Sequence, residues 1–258
     1  TSYEVGGMTY TVTANEGDAR DYTGFGEEAR VKDLDLDSSV FTDALLQEDG
    51  NLGRLKVTTT LGNTDADDEF EALYSFGARS FSIWDETGAL VFDSGDQFEQ
   101  IIAGLGLLDS VGNPVFNANN DDQISFDSRS DDKGPEPEAV AIGQIYGMTL
   151  AFIGLERIGG IMIYDITDPT NPAFMNYILG RDFSEDDAES PAAGDLGPEG
   201  IYFVHKDLSP FGTFGLIVAN EVSGTTTWYD IQAQVPAPAS LALFAAGLPL
   251  LMLRRRRR

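Results

Sequence analysis

Two stretches of this chain repeat one another. PEAVAIGQIYGMTLAFIGLERIGGIMIYDI runs from Pro137 to Ile166, and PEGIYFVHKDLSPFGTFGLIVANEVSGTTTWYDI from Pro198 to Ile231. Each opens on Pro-Glu, passes through an apolar run and a turn, ends a second run in Glu, crosses a Gly-containing turn, and closes on Tyr-Asp-Ile. A partial third copy lies near the start. YTVTANEGD (Tyr10 to Asp18) matches LIVANEVSG (Leu216 to Gly224), and SFSIWDETG (Ser80 to Gly88) matches the strand that ends in Tyr-Asp. The runs are short, rich in Ile, Val, Phe, Tyr and Thr, and bounded by Gly, Asn, Asp and Pro, which is the signature of strands and turns. Antiparallel strands recurring about every 60 residues predict an all-β chain, a partial β-propeller of about three blades, because each blade has two apolar faces that only its neighbours can cover. Three blades do not close a ring, so the repeat predicts the C-terminal portion of a larger propeller, with a sticky blade edge at its N-terminal end.

An insertion over about 23–79 separates two strands of the partial copy. Within it EEARVKDLDLD alternates like a half-exposed strand, SSVFTDALLQ suggests a short capped helix, and LGNTDADDEFEALYSF suggests an acid-rich turn before a strand. Gln97 to Leu108 is expected to be helical, and Asn117 to Lys133 to be a polar loop.

Charge divides the chain into a body, residues 1–232, and a tail, 233–258. There are 43 acidic against 16 basic residues, with a formal net charge of −27, and five of the basic ones are the terminal Arg254 to Arg258. A body this acidic repels nucleic acid and anionic lipid. With no Cys there is no disulfide and no thiol chemistry, and the single His205 nearly excludes triads and histidine-based zinc sites. The uncharged stretch 237–253 would be about 25 Å long as a helix, close to what a bilayer core requires. It is expected to be a transmembrane helix with the arginines on the cytoplasmic side and the body exported across the membrane.

The tail resembles a PEP-CTERM sorting signal: Val235-Pro236-Ala237-Pro238, an apolar span, then Arg254, Arg255 and Arg256 with two further arginines. Ala237 stands where that signal usually has Glu. The resemblance implies recognition by an exosortase, transit through the inner membrane, and a final place at the cell surface or outside. It also implies an N-terminal secretion signal, which Thr1-Ser2-Tyr3-Glu4 is not, and the repeat suggests a chain that begins partway through a longer protein. The body is similar to the choice-of-anchor I domain in TANEGDARDY, EEARVKDL, FDSRSDDKGPEPEAVAIG, LERIGGIMIYDITDP and NEVSGTTTWYDI, over about Tyr10 to Ile231. That resemblance implies a secreted, propeller-like domain and supplies no catalytic residues.

The repeat also places carboxylates. In an antiparallel hairpin the start of one strand and the end of the next share an edge. Glu138 and Glu199 open first strands, Glu156 and Glu221 close second strands, and Glu16 is the partial copy's counterpart. All five should lie on one face, joined by Asp131, Asp132 and Glu136, with Arg20, Arg129 and Arg157 nearby. Two readings stand side by side. A hard cation such as Ca²⁺ would relieve the like-charge repulsion through oxygen ligands; alternatively the carboxylates are used in salt bridges and turn hydrogen bonds. DLDLD has the alternation of a calcium loop, but Leu34 and Leu36 fit a strand with an acidic face better; NANNDDQ and DADDE lack the Gly and distal Glu of an EF-hand and read as solvated loops. The resulting expectation is a non-catalytic surface protein binding a glycan, protein or cation in the envelope or matrix. The alternative is a secreted metal-dependent hydrolase of phosphoesterase or lactonase type, with Asn15 and Asn220 assisting the metal.

Overall fold

The structure, a computed structural model, describes residues 1–65, 67–233 and 251–256. The first sheet holds β1 (Ser2–Val5), β2 (Met8–Ala14), β7 (Phe81–Trp84) and β8 (Leu90–Asp93) in that order. Between β2 and β7 the insertion carries two small hairpin pairings, β3 (Asp21–Tyr22) with β4 (Phe25–Gly26) and β5 (Glu28–Arg30) with β6 (Lys56–Thr58). One helix follows, α1 (Gln97–Leu105), ended by Gly106 in the left-handed region at φ +61°. The second sheet is β9 (Pro137–Ile145), β10 (Met148–Leu155), β11 (Ile161–Asp165) and β12 (Ala173–Ile178). The third is β13 (Pro198–Val204), β14 (Phe214–Asn220), β15 (Thr225–Ala233) and β16 (Leu251–Arg256). Within each of these two sheets every strand pairs antiparallel with the next. The two full copies of the sequence repeat thus become β9–β11 and β13–β15.

The second sheet is the middle layer, and its sequence shows why. A strand covered on both faces has no polar side to present, and Leu150 to Ile153 of β10 are all fully buried. Its alternate residues divide between two cores. Ala151, Ile153, Met162 and Tyr164 meet Val12, Phe81 and Ile83 of the first sheet, together with Phe98 and Ile102 of α1. Leu150, Phe152, Ile161 and Ile163 meet Phe214, Leu216, Tyr229 and Ile231 of the third. Each large side chain so buried contributes roughly 1.5–3 kcal/mol. Gly143 sets the close approach on the third-sheet side: a Cβ there would lie 2.5 Å from the Phe203 ring.

Several expectations need correction. The all-β, antiparallel character is observed, but the partial propeller is not. Among the described residues there are three four-stranded and two two-stranded sheets and no closed barrel or propeller. Among the described residues the second sheet packs between the first and the third. The transmembrane helix is also not found: no helix among the described residues is long and apolar enough to cross a membrane. Most of the segment 237–253 lies outside the described residues, while Leu251 to Leu253 belong to β16, paired with Ala233 to Ile231 of β15. Backbone pairing along β15 takes up the peptide groups on one edge of these residues in place of helical hydrogen bonds. SSVFTDALLQ forms turns instead of a helix, because Asp37 folds back to accept hydrogen bonds from Ser39 N–H (2.7 Å) and Ser39 Oγ (2.8 Å). EEARVKDLDLD is a strand only over Glu28–Arg30, then a 3₁₀ turn over Val31–Asp33. The helix beginning at Gln97 is present, three residues shorter than its sequence suggests.

Candidate functional site

The strand ends of all three sheets converge on one group of carboxylates. Glu16 follows β2, Glu138 is the second residue of β9, and Glu156 follows β10. Glu199 is the second residue of β13, and Glu221 follows β14. The register that sets β9 against β10 pairs Pro137 with Leu155, and Pro198 pairs with Asn220 in the third sheet. Each opening Glu is thereby placed beside a closing Glu. Glu136 enters from the loop before β9 at φ +48°, a left-handed conformation that few non-glycine residues adopt, and its side chain is wholly buried. One carboxylate oxygen from each of Glu16, Glu136 and Glu156 lies within 4.8 Å of the others. Gly17 and Gly77 fix Glu16 in place: a Cβ on Gly17 would sit 2.0 Å from Gly77 N, and one on Gly77 1.9 Å from Glu16 O.

The group is divided electrostatically. Glu136 is the anion that cations hold. Arg157 Nε donates to it at 2.7 Å, Arg129 Nη2 donates to its other oxygen, and Lys133 Nζ is 3.7 Å away. Burial opposes its charge, but the guanidiniums of Arg157 and Arg129 prevail and hold its carboxyl below the ordinary glutamate range. The other carboxylates have weaker support: Arg157 Nη2 stands 3.4 Å from Glu156, and Lys133 Nζ 3.8 Å from Glu16. Glu156, which accepts from Asn120 Nδ2 at 2.9 Å, is pushed up to about 7 by burial first and then by its hydrogen bond with Glu136. Glu138 is pushed up to about 7 by burial first, then by the charges of Glu16, Glu199, Glu221 and Glu136. Its Oε2 is buried and has no hydrogen-bond partner among the described residues. Glu16 is raised by burial despite Lys133 at 3.8 Å.

Of the eight carboxylates singled out from the sequence, six belong to this convergence and two do not. Asp131 receives Arg30 Nη1 and Arg54 Nη2, each at 2.7 Å, and Asp132 receives Lys56 Nζ at 3.0 Å and Arg129 Nη2 at 3.1 Å. These pairs tie the insertion's β5–β6 region to the loop before β9. Arg20 does not reach the cluster but pairs with Glu27 at 2.7 Å. Asn15 and Asn220 are occupied within their own sheets. Asn15 Nδ2 donates to Ser82 Oγ at 2.7 Å and to Ser80 Oγ at 3.1 Å; Asn220 Nδ2 donates to Thr225 Oγ1 at 3.1 Å. Through these amide nitrogens they brace strand pairs. Val235, Pro236 and Pro238 lie outside the described residues; Arg254, Arg255 and Arg256 pair along β15 with Asp230, Tyr229 and Trp228.

The sequence reading missed NANNDDQ. Instead of a solvated loop it encloses Arg181, which is 5% exposed. The guanidinium donates to Asn119 O (2.7 Å), Asp122 O (2.9 Å), Gln123 Oε1 (2.7 Å) and Arg157 O (3.1 Å), and it lies over the Phe183 ring. Burial pulls its pKa down to about 10. This clamp holds Asn120 against Glu156. The only hint in the sequence was the replacement of acids by amides at Asn117, Asn119, Asn120 and Gln123, neutral residues that tolerate burial better than carboxylates do.

The order of these parts has a counterpart in known proteins: the choice-of-anchor I domain family model matches residues 1–169, nearly two thirds of the chain. The chain belongs to the choice-of-anchor I domain family. The match covers the first sheet, the insertion, and β9–β11, so it includes Glu16, Glu136, Glu138 and Glu156; the third sheet is linked to it by the internal repeat. Among curated proteins, the chain is 29% identical over 200 residues to Gigasin-3a of Magallana gigas, across 72% of this chain and 67% of that protein. It is 28% identical over 261 residues to a mesenchyme-specific cell surface glycoprotein of Strongylocentrotus purpuratus, across 90% of this chain and 30% of that protein. The choice-of-anchor I chain therefore spans about two thirds of one relative and under a third of the other. No solved structure matches it.

Proposed function

We propose that this choice-of-anchor I chain is an exported, surface-displayed binding protein whose carboxylate face takes up Ca²⁺ and contacts partners in the envelope or extracellular matrix. One observation carries the cation reading: Glu16, Glu138 and Glu156 gather at the ends of two sheets with their pKa values raised, while the closest guanidinium contacts go to Glu136. A hard dication would replace the protons these groups retain and would give the buried Glu138 Oε2 a partner. Uptake would then strengthen as pH rises through about 7, because Glu138 and Glu156 must lose their protons first. Surface placement draws on the family and on the cell-surface relative. It also draws on the acidic body, which suits a solvated exterior.

Delivery would use the exosortase-type tail at 235–258. Residues 251–256 cannot pair with β15 and stand at a membrane at once, so processing requires β16 to leave the third sheet. The cation reading is tested by thermal unfolding at pH 8 in calcium and in chelator. Saturation to about 100 times Kd would stabilise by about 2.7 kcal/mol, and identical midpoints would remove the calcium site. Cell fractionation tests the placement: intact chain free in the cytosol would overturn it.

A further inference from the structure

The flank of the molecule beside α1 is apolar, on a chain whose surface is otherwise rich in charge. After α1 the backbone doubles back over Leu107 to Val115, with Val115 N–H donating to Leu107 O at 2.8 Å. Asp109, itself buried, holds the tip of this turn: it accepts from Val111 N–H at 3.0 Å, Asn113 N–H at 2.8 Å and Asn113 Nδ2 at 3.0 Å. The fixed turn leaves Leu108 58% and Val111 62% exposed, and Leu105 and Phe126 are half exposed beside them. Two hollows meet at Leu107. In one, of about 300 Å³, every described residue of the wall is uncharged, Ile102, Pro114, Phe116 and Phe126 among them. The other, of about 450 Å³, runs from Leu107 and Leu108 to Leu179, Gly180 and Phe183. Apolar exposure gathered in this way marks a binding surface.

The margins of this surface are acidic. Between Arg79 and Arg129, and again between Arg181 and His205, the sequence has no Lys, Arg or His. Asp121 and Asp122 are exposed on one bordering loop, and Asp182, Asp186 and Asp187 on the other. Arg181 fastens the two loops together. It donates to Asn119 O and Asp122 O, and Gln123 Nε2 donates to Asp182 O at 3.0 Å. Its hydrogen bonds go to oxygens of residues 119, 122, 123 and 157 and to no carboxylate. Acidic margins repel anionic lipid, which argues against a membrane as the occupant. Two hollows meeting at one ridge call for two apolar anchors on one backbone, which a single small apolar molecule does not carry.

We propose that this flank docks a basic polypeptide segment of another protein, with large apolar side chains filling the two hollows at Leu107 and flanking Lys or Arg residues facing the acidic loops. The apolar anchors supply the affinity, and the acidic loops speed the encounter and make it sensitive to salt. The turn and both loops are held by their own hydrogen bonds before a partner arrives, so little freedom is lost in ordering them. The contacts use none of the carboxylates proposed to hold Ca²⁺, so docking does not depend on calcium.

Fluorescence anisotropy on the full chain in chelator, with a labelled amphipathic peptide of leucines and lysines as the probe, tests the proposal. The peptide should bind, and more weakly as salt rises. A peptide with serine in place of every leucine, and one with glutamate in place of every lysine, should each bind at least about tenfold more weakly. Leu108→Ser with Val111→Ser changes two exposed positions, and circular dichroism confirms that the variant is folded. It should weaken the leucine–lysine peptide at least about tenfold and leave the serine peptide unchanged. Asp122→Asn with Asp182→Asn keeps the side-chain oxygens that accept from Ile124 N–H and Ser184 N–H, and should flatten the salt dependence. Leu208→Ser, the same kind of change at a 76% exposed position in the loop before β14, should leave binding as it is. A serine peptide that binds as tightly as the leucine one reports attraction to net charge alone and overturns the proposal. So does a glutamate peptide that binds as tightly, or a Leu108→Ser with Val111→Ser variant that binds like the parent. A leucine–lysine peptide that does not bind overturns it too, whether the surface is bare or covered by the chain's own residues 234–250.

Discussion

Glu138→Gln should stabilise this protein, and only at the upper end of the pH range. The native carboxyl is raised from 4.5 to about 7, by burial and then by four neighbouring carboxylates. A raised carboxyl favours the folded state while it is protonated. Its contribution is complete below the unfolded value, about 4.5, and is lost as pH rises through about 7. At about 1.36 kcal/mol per pKa unit the difference sets a ceiling of about 3.4 kcal/mol. Part of Glu138 is in contact with solvent, and screening reduces that to roughly 1–2 kcal/mol. Gln reproduces the shape of the protonated form, and its amide can donate into the acidic surroundings. In chelator, the midpoint of Glu138→Gln should exceed that of the parent by about 2–8 °C at pH 8, taking about 2–4 °C per kcal/mol for a chain of this size. The two should coincide near pH 4.5. Differential scanning calorimetry across that range reads the result. A variant less stable than the parent at pH 8, or an equal offset at both pH values, would refute the claim that repulsion among these carboxylates strains the fold.

Other substitutions test the remaining parts of the site. Glu136→Gln leaves Arg129, Arg157 and Lys133 around a neutral group in a buried place, and urea titration should show a loss of about 3–5 kcal/mol. Gly17→Ala drives a Cβ into the Gly77 backbone at 2.0 Å; it should cost more than 1 kcal/mol and weaken calcium-dependent stabilisation by displacing Glu16. Arg181→Met keeps the length of the side chain but removes four hydrogen bonds to 119–123 and Arg157. Limited proteolysis should then cut in 119–123, which the parent protects.

Much of the third and second sheets could be read in advance. Short β-branched and aromatic runs with a shared Pro-Glu opening and a Tyr-Asp-Ile close told which segments pair, because pairing and turn chemistry are local. The same alignment put Glu16, Glu138, Glu156, Glu199 and Glu221 at corresponding strand ends. The insertion was far less legible. Its strands β5 and β6 are three residues each, and what holds them is the reach of Arg30, Arg54 and Lys56 to Asp131 and Asp132, about a hundred residues away in sequence for Arg30. No pattern within 23–79 encodes that.

The sequence by itself determined the segregation of charge, the exclusion of thiol and histidine-cluster chemistry, and the order of strands within each repeat, since composition and nearest-neighbour pairing do not depend on distant contacts. Only the tertiary structure decided how the sheets stack and how the carboxylates divide. Burial and the distance to a guanidinium set whether a glutamate keeps its charge, and both are properties of three-dimensional neighbours. Glu136 and Glu138 stand two residues apart in one acidic run, yet one is held ionised by Arg129 and Arg157 while the other retains its proton to about pH 7.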